Sequence, residues 1–421
     1  MNQGSASPLT VTGAVVDGQT AGVRCEGGAI AALGPEVIAK PGDETIDAAG
    51  APLVPALVNG HTHAAMTLFR GYGGDLPLMR WLREKVWPIE AKLEPEDVYW
   101  GTRLACLEMI RTGTTRFWDM YWHPGATARA VEDAGLRATI GGPLLDVDGS
   151  FPDMRVTALR YLDELAEHGP GVASSLAPHA IYTVSEELLR WTAALAAERR
   201  LPIHIHLSET EQEVSECLQR HGARPTVYLD QLGLLGERTV LAHGVWLDQA
   251  ELELIAERGC TIVAVPVANM KLAVGGAFPY QAARRAEIAV GLGTDGAGSN
   301  DSLDLFSDLK TFALMQRHIA GDATVLPAEE AWQIATGASA PLLGGGEPLT
   351  VGTPADFLLL RHNSLELSLG DLASNLVYAA SGSIVSTTVA GGRILMRDGE
   401  VDGADEIVSR AAESARRLGI A

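Results

Sequence analysis

The sequence predicts an α/β protein: a (β/α)8 TIM barrel with a small β-sandwich domain built from the two ends of the chain. Four observations predict it. Eight apolar, strand-like runs follow one another through the middle of the chain, with amphipathic helical stretches between most of them. Those runs are near-continuously apolar, as expected of parallel strands covered on both faces. Eight such units in about 290 residues match a closed barrel. Outside that region the style changes to short strands broken by Gly and Asp, with turn signals about every 8–12 residues.

In chain order, residues 9–55 read as LTVTGAVVD, AGVRCEGG, AIAALG and ETIDAAG, a set of antiparallel β segments. The eight barrel strands are read in PALVNGHTH, TTRFWDM, RATIGGPLLD, GVASSLAPH, LPIHIHLSE, RTVLAHG, CTIVAVPVANM and EIAVGLGTDG. Stretches such as SEELLRWTAALAAERR and LDQAELELIAERG supply the helices. After them ADFLLLR and IVSTTVAGGRILMRDGE return to strands, with a hairpin turn expected at Asp398-Gly399. A last helix is expected over about 404–418. The division is therefore residues 56–346 for the barrel, and 1–55 with 347–421 for the small domain.

Composition narrows the class. The chain has 421 residues, 47% hydrophobic and 20% charged, enough to bury a large core. Its net charge of −21 argues against nucleic acid or an anionic membrane as partner, because both require clustered Lys and Arg. No apolar run reaches the roughly 18 residues of a membrane span, and MNQGSASPLT lacks a signal-peptide pattern. A soluble, cytoplasmic protein is expected. The four cysteines, Cys25, Cys106, Cys217 and Cys260, are far apart and read as reduced structural thiols. The H-x-E and P-C-x-x-C pattern of zinc base deaminases is absent.

In a TIM barrel the chemistry lies at the C-terminal ends of the strands. His61 and His63 end strand one, His179 strand four, His206 strand five, His243 strand six and Asp295 strand eight, with Glu209 three residues beyond His206. A single such histidine is ordinarily a hydrogen-bonded loop residue; this many polar groups on one rim point to a site. Residues two apart on a strand face the same way, so His61 and His63 can share an ion. Three imidazoles and a carboxylate suit Zn2+ with one position open for water, whose pKa the metal brings to about 7. A further carboxylate can shuttle protons. His204 and His206 share a strand face, so spacing does not decide between them. Glu209 has a second reading, because SETE (208–211) matches a capping box. GLGTDG (291–296) fits G-x-G-x-x-G, but it falls after the seventh βα unit, where no dinucleotide fingerprint belongs. It reads as a close-packed strand end presenting Asp295.

NGHTHAAMTLFRGYGGDLPLMRWLREKVWPIE, APHAIYTVSEELL, IHIHLSETEQEV, LAHG and GTDGAGSNDSLDLF together resemble, in order, the amidohydrolase superfamily. More narrowly, the likeness is to the 5'-methylthioadenosine/S-adenosylhomocysteine deaminase branch, which is related to the triazine hydrolases. GTPADFLLL and VAGGRILMRDG resemble that family's small β domain. The resemblance implies one divalent metal ion, Zn2+ in first place with Fe2+ or Mn2+ as alternatives, on His61, His63, His206 and Asp295. His206 is preferred because H-x-x-E-T here reads His206-Leu-Ser-Glu209-Thr. Strand four carries no lysine to bridge a second metal. By the same resemblance Glu209 protonates the ring nitrogen, Asp295 takes a proton from water, and His243 orients the attacking hydroxide. Glu90 holds the ribose hydroxyls and His179 contacts the nucleoside. Trp87 is either core or pocket wall.

The chain departs from the family at three points. Strand six reads His243-Gly-Val-Trp246, strand seven reads Pro266-Val-Ala-Asn269, and the end of strand three, where some members place an arginine, is Gly141-Gly142-Pro143. Arg155, further along that loop, is the candidate substitute for a substrate carboxylate. The expected activity is hydrolytic deamination of adenine-type nucleosides: methylthioadenosine first, then S-adenosylhomocysteine, 5'-deoxyadenosine or adenosine. The alternative is aminohydrolysis or chlorohydrolysis of another N-heterocycle such as a triazine, guanine-like or pterin-like ring. A homo-oligomer, dimer or tetramer, is implied by the family.

Overall fold

The computed structural model describes residues 7–74, 76–146 and 153–420, so the outermost residues of the expected small domain lie outside the described residues. The eight barrel strands are Leu57–Thr62, Thr114–Met120, Arg137–Gly141, Val172–Ser174, Ile203–Leu207, Thr239–His243, Thr261–Ala264 and Ala289–Leu292. Strands one to four pair in parallel, as do strands five to eight. A parallel bridge between Leu176 and Ile203 joins strand four to strand five. Asp295 N–H donates to the His61 carbonyl (3.0 Å), which links the end of strand eight back to strand one. The result is the TIM barrel.

The strands are buried on both faces, as their composition requires: Ile205, Leu241, Ile262 and Leu292 are completely buried. Strand seven is shorter than its apolar run. It stops at Ala264, and Pro266 opens a short helix, Pro266–Lys271, at a position where its missing N–H costs no bond.

Two four-stranded sheets lie outside the barrel. The first runs Ala29–Gly34, Gln19–Glu26, Leu9–Val16, Glu44–Asp47. The second joins Arg393–Met396, Val385–Ala390 and Phe357–Leu360 to Leu53–Pro55, so its edge strand comes from the other end of the chain. Leu9, Val11, Val23, Leu53, Phe357 and Val389 fill one core between them. The hairpin between Val385–Ala390 and Arg393–Met396 turns at Gly391-Gly392, both with positive φ. Asp398-Gly399 makes a separate tight turn just after it.

A helical segment covers the mouth of the barrel. Leu78–Trp81 and Trp87–Glu90 are α-helical, and Leu82–Val86 between them is a π turn. Pro88 lacks an N–H to give to that turn, and such wide turns recur at functional positions. The C-terminal helix, Ala404–Leu418, packs on the helix Pro95–Arg111 that follows this segment. There Arg417 pairs with buried Asp97, while Leu418 packs with Phe69 and Val98.

Candidate active site

Each metal-facing side chain stands where an apolar strand ends. Asn59 sets the first: its Oδ1 accepts Thr294 N–H (3.1 Å) and its Nδ2 donates to Thr294 Oγ (2.7 Å), tying strand one to strand eight. Gly293 allows the closest approach, since a Cβ there would lie 2.9 Å from the His61 nitrogen. The G-x-G-x-x-G sequence is thus a packing device. Ser208, His243 and Asp295 all have positive φ, a conformation uncommon for residues with a Cβ and frequent at active sites.

His61, His63, His206 and Asp295 converge so that one ligand atom from each lies within 4.8 Å of the others. Asp295 Oδ1 is 3.3 Å from His61 Nε2 and 3.1 Å from His63 Nε2, and His63 Nε2 is 3.3 Å from His206 Nε2. A tetrahedral zinc with bonds of about 2.0–2.1 Å has ligand–ligand edges of roughly 3.3 Å. His61 Nε2 and Asp295 Oδ1 are buried and have no hydrogen-bond partner among the described residues. Lone pairs facing one another in this way need a cation between them. The donor set therefore fits one divalent ion, Zn2+ by ligand type.

The protons are arranged to match. His63 Nδ1 donates to the Met120 carbonyl and His206 Nδ1 to the His179 carbonyl, each at 2.7 Å. These two imidazoles then present an unprotonated Nε2. Asp295 Oδ2 accepts from Ser299 Oγ (2.6 Å), which leaves Oδ1 for the ion.

Glu209 is 5% exposed, and burial pushes its carboxyl up from the usual range. It is not part of a capping box at 208–211. The helix N-cap is Thr210, whose hydroxyl accepts Glu213 N–H. Glu213 in turn accepts the N–H groups of Ser208 and Glu209, so the turn is pinned from below and the Glu209 side chain is left to the cavity. His243 gives its Nδ1–H to Asn269 Oδ1 (2.8 Å), which turns its other nitrogen toward the site.

His63, His206, Glu209, His243 and Asp295 line one cavity of about 970 Å3, within the usual range for a small-molecule site. His179 hydrogen-bonds through Nδ1 to Thr183 Oγ (2.9 Å), and burial holds its pKa down at about 3. It is therefore a neutral imidazole on the cavity wall. Glu90 reaches the cavity from the covering helix, its carboxyl pushed up by burial and pulled back by the Tyr121 hydroxyl and Trp122 indole beside it. Trp87 is a wall residue near the mouth, 37% exposed.

Arg155 is not brought to this cavity. It lies in the first turn of the helix Met154–Ala166, and its guanidinium pairs with Glu187 at the surface. Among the described residues the one arginine that lines the cavity is Arg83, which is exposed and on the covering helix. Asn59, Asn269, Ser299 and Glu213 had no role assigned from sequence. All four fall inside quoted motifs, Asn59 in NGHTH, Glu213 in IHIHLSETEQEV, Ser299 in GTDGAGSN and Asn269 in Pro266-Val-Ala-Asn269, but nothing in those motifs signals what each one bonds.

Residues 53–395 match the amidohydrolase family. A 5'-deoxyadenosine deaminase of Methanoregula boonei is 47% identical over 380 residues, covering 89% of this chain and 86% of that protein. A 5-methylthioadenosine/S-adenosylhomocysteine deaminase of Halobacterium salinarum is 43% identical over 390 residues, covering 90% of each. Among solved structures, an adenosine deaminase from Xanthomonas campestris with bound zinc superposes with a TM-score of 0.91 at 34% identity, over 98% of this chain and 99% of that one.

Proposed function

The chain belongs to the amidohydrolase family, and on that premise we propose that it is a metal-dependent hydrolytic deaminase of adenine-type nucleosides, releasing ammonia and the inosine analogue. One observation carries the reading: His63, His206 and Asp295 of the ligand cluster line one cavity with Glu209 and with a second carboxylate, Glu90, which we read as the partner of a ribose diol. A free base has no use for that second group; a ribose does.

Bound at His61, His63, His206 and Asp295, a single Zn2+ would supply Lewis-acid activation of water at neutral pH. Asp295, steadied by Ser299, takes a proton from the attacking water. Glu209, whose burial favours the protonated form, gives a proton to N1 of the ring as C6 is attacked, and then serves the departing ammonia. His243, its Nδ1 committed to Asn269, orients the water. His179 faces the nucleoside as a neutral ring, Glu90 accepts the ribose hydroxyls, and Trp87 closes the mouth.

The cavity wall also bears on the 5' end of the substrate. Leu78, Met79, Leu82 and Val86 line it from the covering helix, and Arg155 lies elsewhere. Among the described residues the one arginine lining the cavity, Arg83, is exposed, and an exposed ion pair offsets little of the cost of burying a carboxylate, so methylthioadenosine and 5'-deoxyadenosine rank ahead of S-adenosylhomocysteine. Residues 1–55 with 347–421 act as a supporting β domain for a 56–346 catalytic barrel. The enzyme works in the cytoplasm as a dimer or tetramer, which light scattering on purified protein would test. Among the described residues no helix is long and apolar enough to cross a membrane.

The test is ammonia release by zinc-loaded enzyme from methylthioadenosine, 5'-deoxyadenosine, S-adenosylhomocysteine, adenosine, guanine and an aminotriazine. Turnover concentrated on the nucleosides is expected. Turnover of guanine or the triazine alone would keep the metal site and overturn the substrate.

A further inference from the structure

His204 sits behind the metal cluster rather than in it. It precedes His206 by two residues on strand five and is completely buried. Its Nε2 lies 2.8 Å from Nδ1 of His61, and its ring stands edge-on to Trp118 at 5.7 Å. Two nitrogens that close, away from solvent, must hold one proton between them, and the chemistry of His61 decides which carries it. His61 offers Nε2 to the ion only as a neutral ring with its proton on Nδ1. That proton must be accepted by His204 Nε2. His204 is then itself neutral, with its own proton on Nδ1.

The three ligand histidines share this logic with one difference. His63 and His206 give their Nδ1–H to main-chain carbonyls, of Met120 and His179, which no substitution removes. His61 gives its Nδ1–H to a side chain. We propose that His204 is a positioning residue for the metal centre: as the acceptor for His61 Nδ1–H it fixes the tautomer and ring plane in which His61 Nε2 faces the ion.

This rests on the reading that the cluster binds a divalent metal, and the test separates the two. Zinc affinity is measured by chelator competition for wild type, His204→Gln and His204→Met, together with the melting temperature of each metal-free protein. Glutamine keeps an acceptor oxygen, whereas methionine fills similar space without a strong one. Losing such an outer partner typically weakens metal binding about 10–100-fold. The expected result is that loss in His204→Met, near-wild-type affinity in His204→Gln, and little difference between the metal-free melts of the two variants. Equal affinity in all three proteins overturns the proposal, as does an equal loss in both variants. A wild type that binds no stoichiometric zinc overturns the metal reading instead. If His204→Met does not fold, histidine 15N spectra of zinc-loaded wild type decide, with the His204 signals assigned by their absence from His204→Gln. A neutral His204 protonated on Nδ1 is expected, and one protonated on Nε2 overturns the proposal.

Discussion

Glu213 holds the turn from which Glu209 reaches the substrate cavity: its two carboxylate oxygens accept the N–H groups of Ser208 (2.9 Å) and of Glu209 itself (2.8 Å). Ser208 is in the left-handed region, so the turn needs that support. Removing the carboxylate leaves two buried donors unpaired, at about 1–3 kcal/mol each. Displacing a catalytic group by about 1 Å can cost 100-fold in rate. Glu213→Ala is therefore expected to lower kcat by about 10–100-fold while zinc content, set by strands one, five and eight, stays at wild type. Metal analysis alongside steady-state kinetics checks it; loss of zinc in step with activity would mean that Glu213 supports His206 instead.

Glu209→Gln tests the proton transfer directly. The amide preserves shape but has no acidic proton to deliver to N1. General acid–base groups contribute about 100- to 10,000-fold, so kcat is expected to fall by that order with zinc still bound. A variant with near wild-type kcat would remove Glu209 from the mechanism.

Glu90→Ala separates recognition from chemistry. Hydrogen bonds to a charged group are worth about 1.5–3 kcal/mol, so KM for methylthioadenosine should rise by roughly 10–100-fold with kcat little changed. Any activity on a free base should be unaffected. An equal loss on nucleoside and base would place Glu90 in support of the covering helix rather than on the ribose.

What could be read from the sequence followed from how far apart the partners are in the chain. His61 and His63, or His206 and Glu209, announce themselves because ligands two or three residues apart sit at the end of one apolar run. The choice between His204 and His206 rests on a family motif, since strand periodicity puts both on one face; the structure separates them, with His206 Nε2 in the ligand cluster and His204 Nε2 against His61 Nδ1. Asn59 and Thr294 are 235 residues apart, and nothing local to either signals their pairing. Within the helix that follows strand five, the N-cap lies at Thr210 and not at Ser208, where the alternative capping-box reading of SETE would put it, and Glu213 turns its carboxylate to the N–H groups of Ser208 and Glu209. The apolar run of strand seven overstates the strand, because Pro266 starts a helix that carries Asn269 to His243.

Arg155 illustrates a residue whose neighbourhood, not its spacing, decides its use. Its guanidinium is engaged by Glu187 outside the cavity, and both side chains are substantially exposed. Exposed pairs of this kind contribute about 0–1 kcal/mol. Arg155→Ala is expected to leave the ratio of kcat/KM for S-adenosylhomocysteine over methylthioadenosine within about twofold of wild type, and the melting temperature nearly unchanged. A selective tenfold drop for S-adenosylhomocysteine would show that Arg155 leaves Glu187 to meet the substrate carboxylate.

Asp308 gives the fold a specific pH signature. It is completely buried behind the strand-eight loop, where Oδ2 accepts from Asn300 Nδ2 (3.1 Å) and Oδ1 from Val267 N–H (3.3 Å). Burial outweighs those bonds and pushes its pKa up to about 8, against about 3.9 in an unfolded chain. Between those values the native state binds more protons than the unfolded one, so this group's contribution to stability falls as pH rises. It is fully present below about pH 4 and lost by about pH 8. The amide introduced by Asp308→Asn resembles the protonated acid at every pH and has no such dependence. Wild type is therefore expected to lose stability relative to Asp308→Asn steadily from pH 5 to pH 8, read as the difference between their urea midpoints. A difference that stays flat across that range would mean that Asp308 remains ionised in the folded protein, with Asn300 and Val267 sufficient to hold its charge.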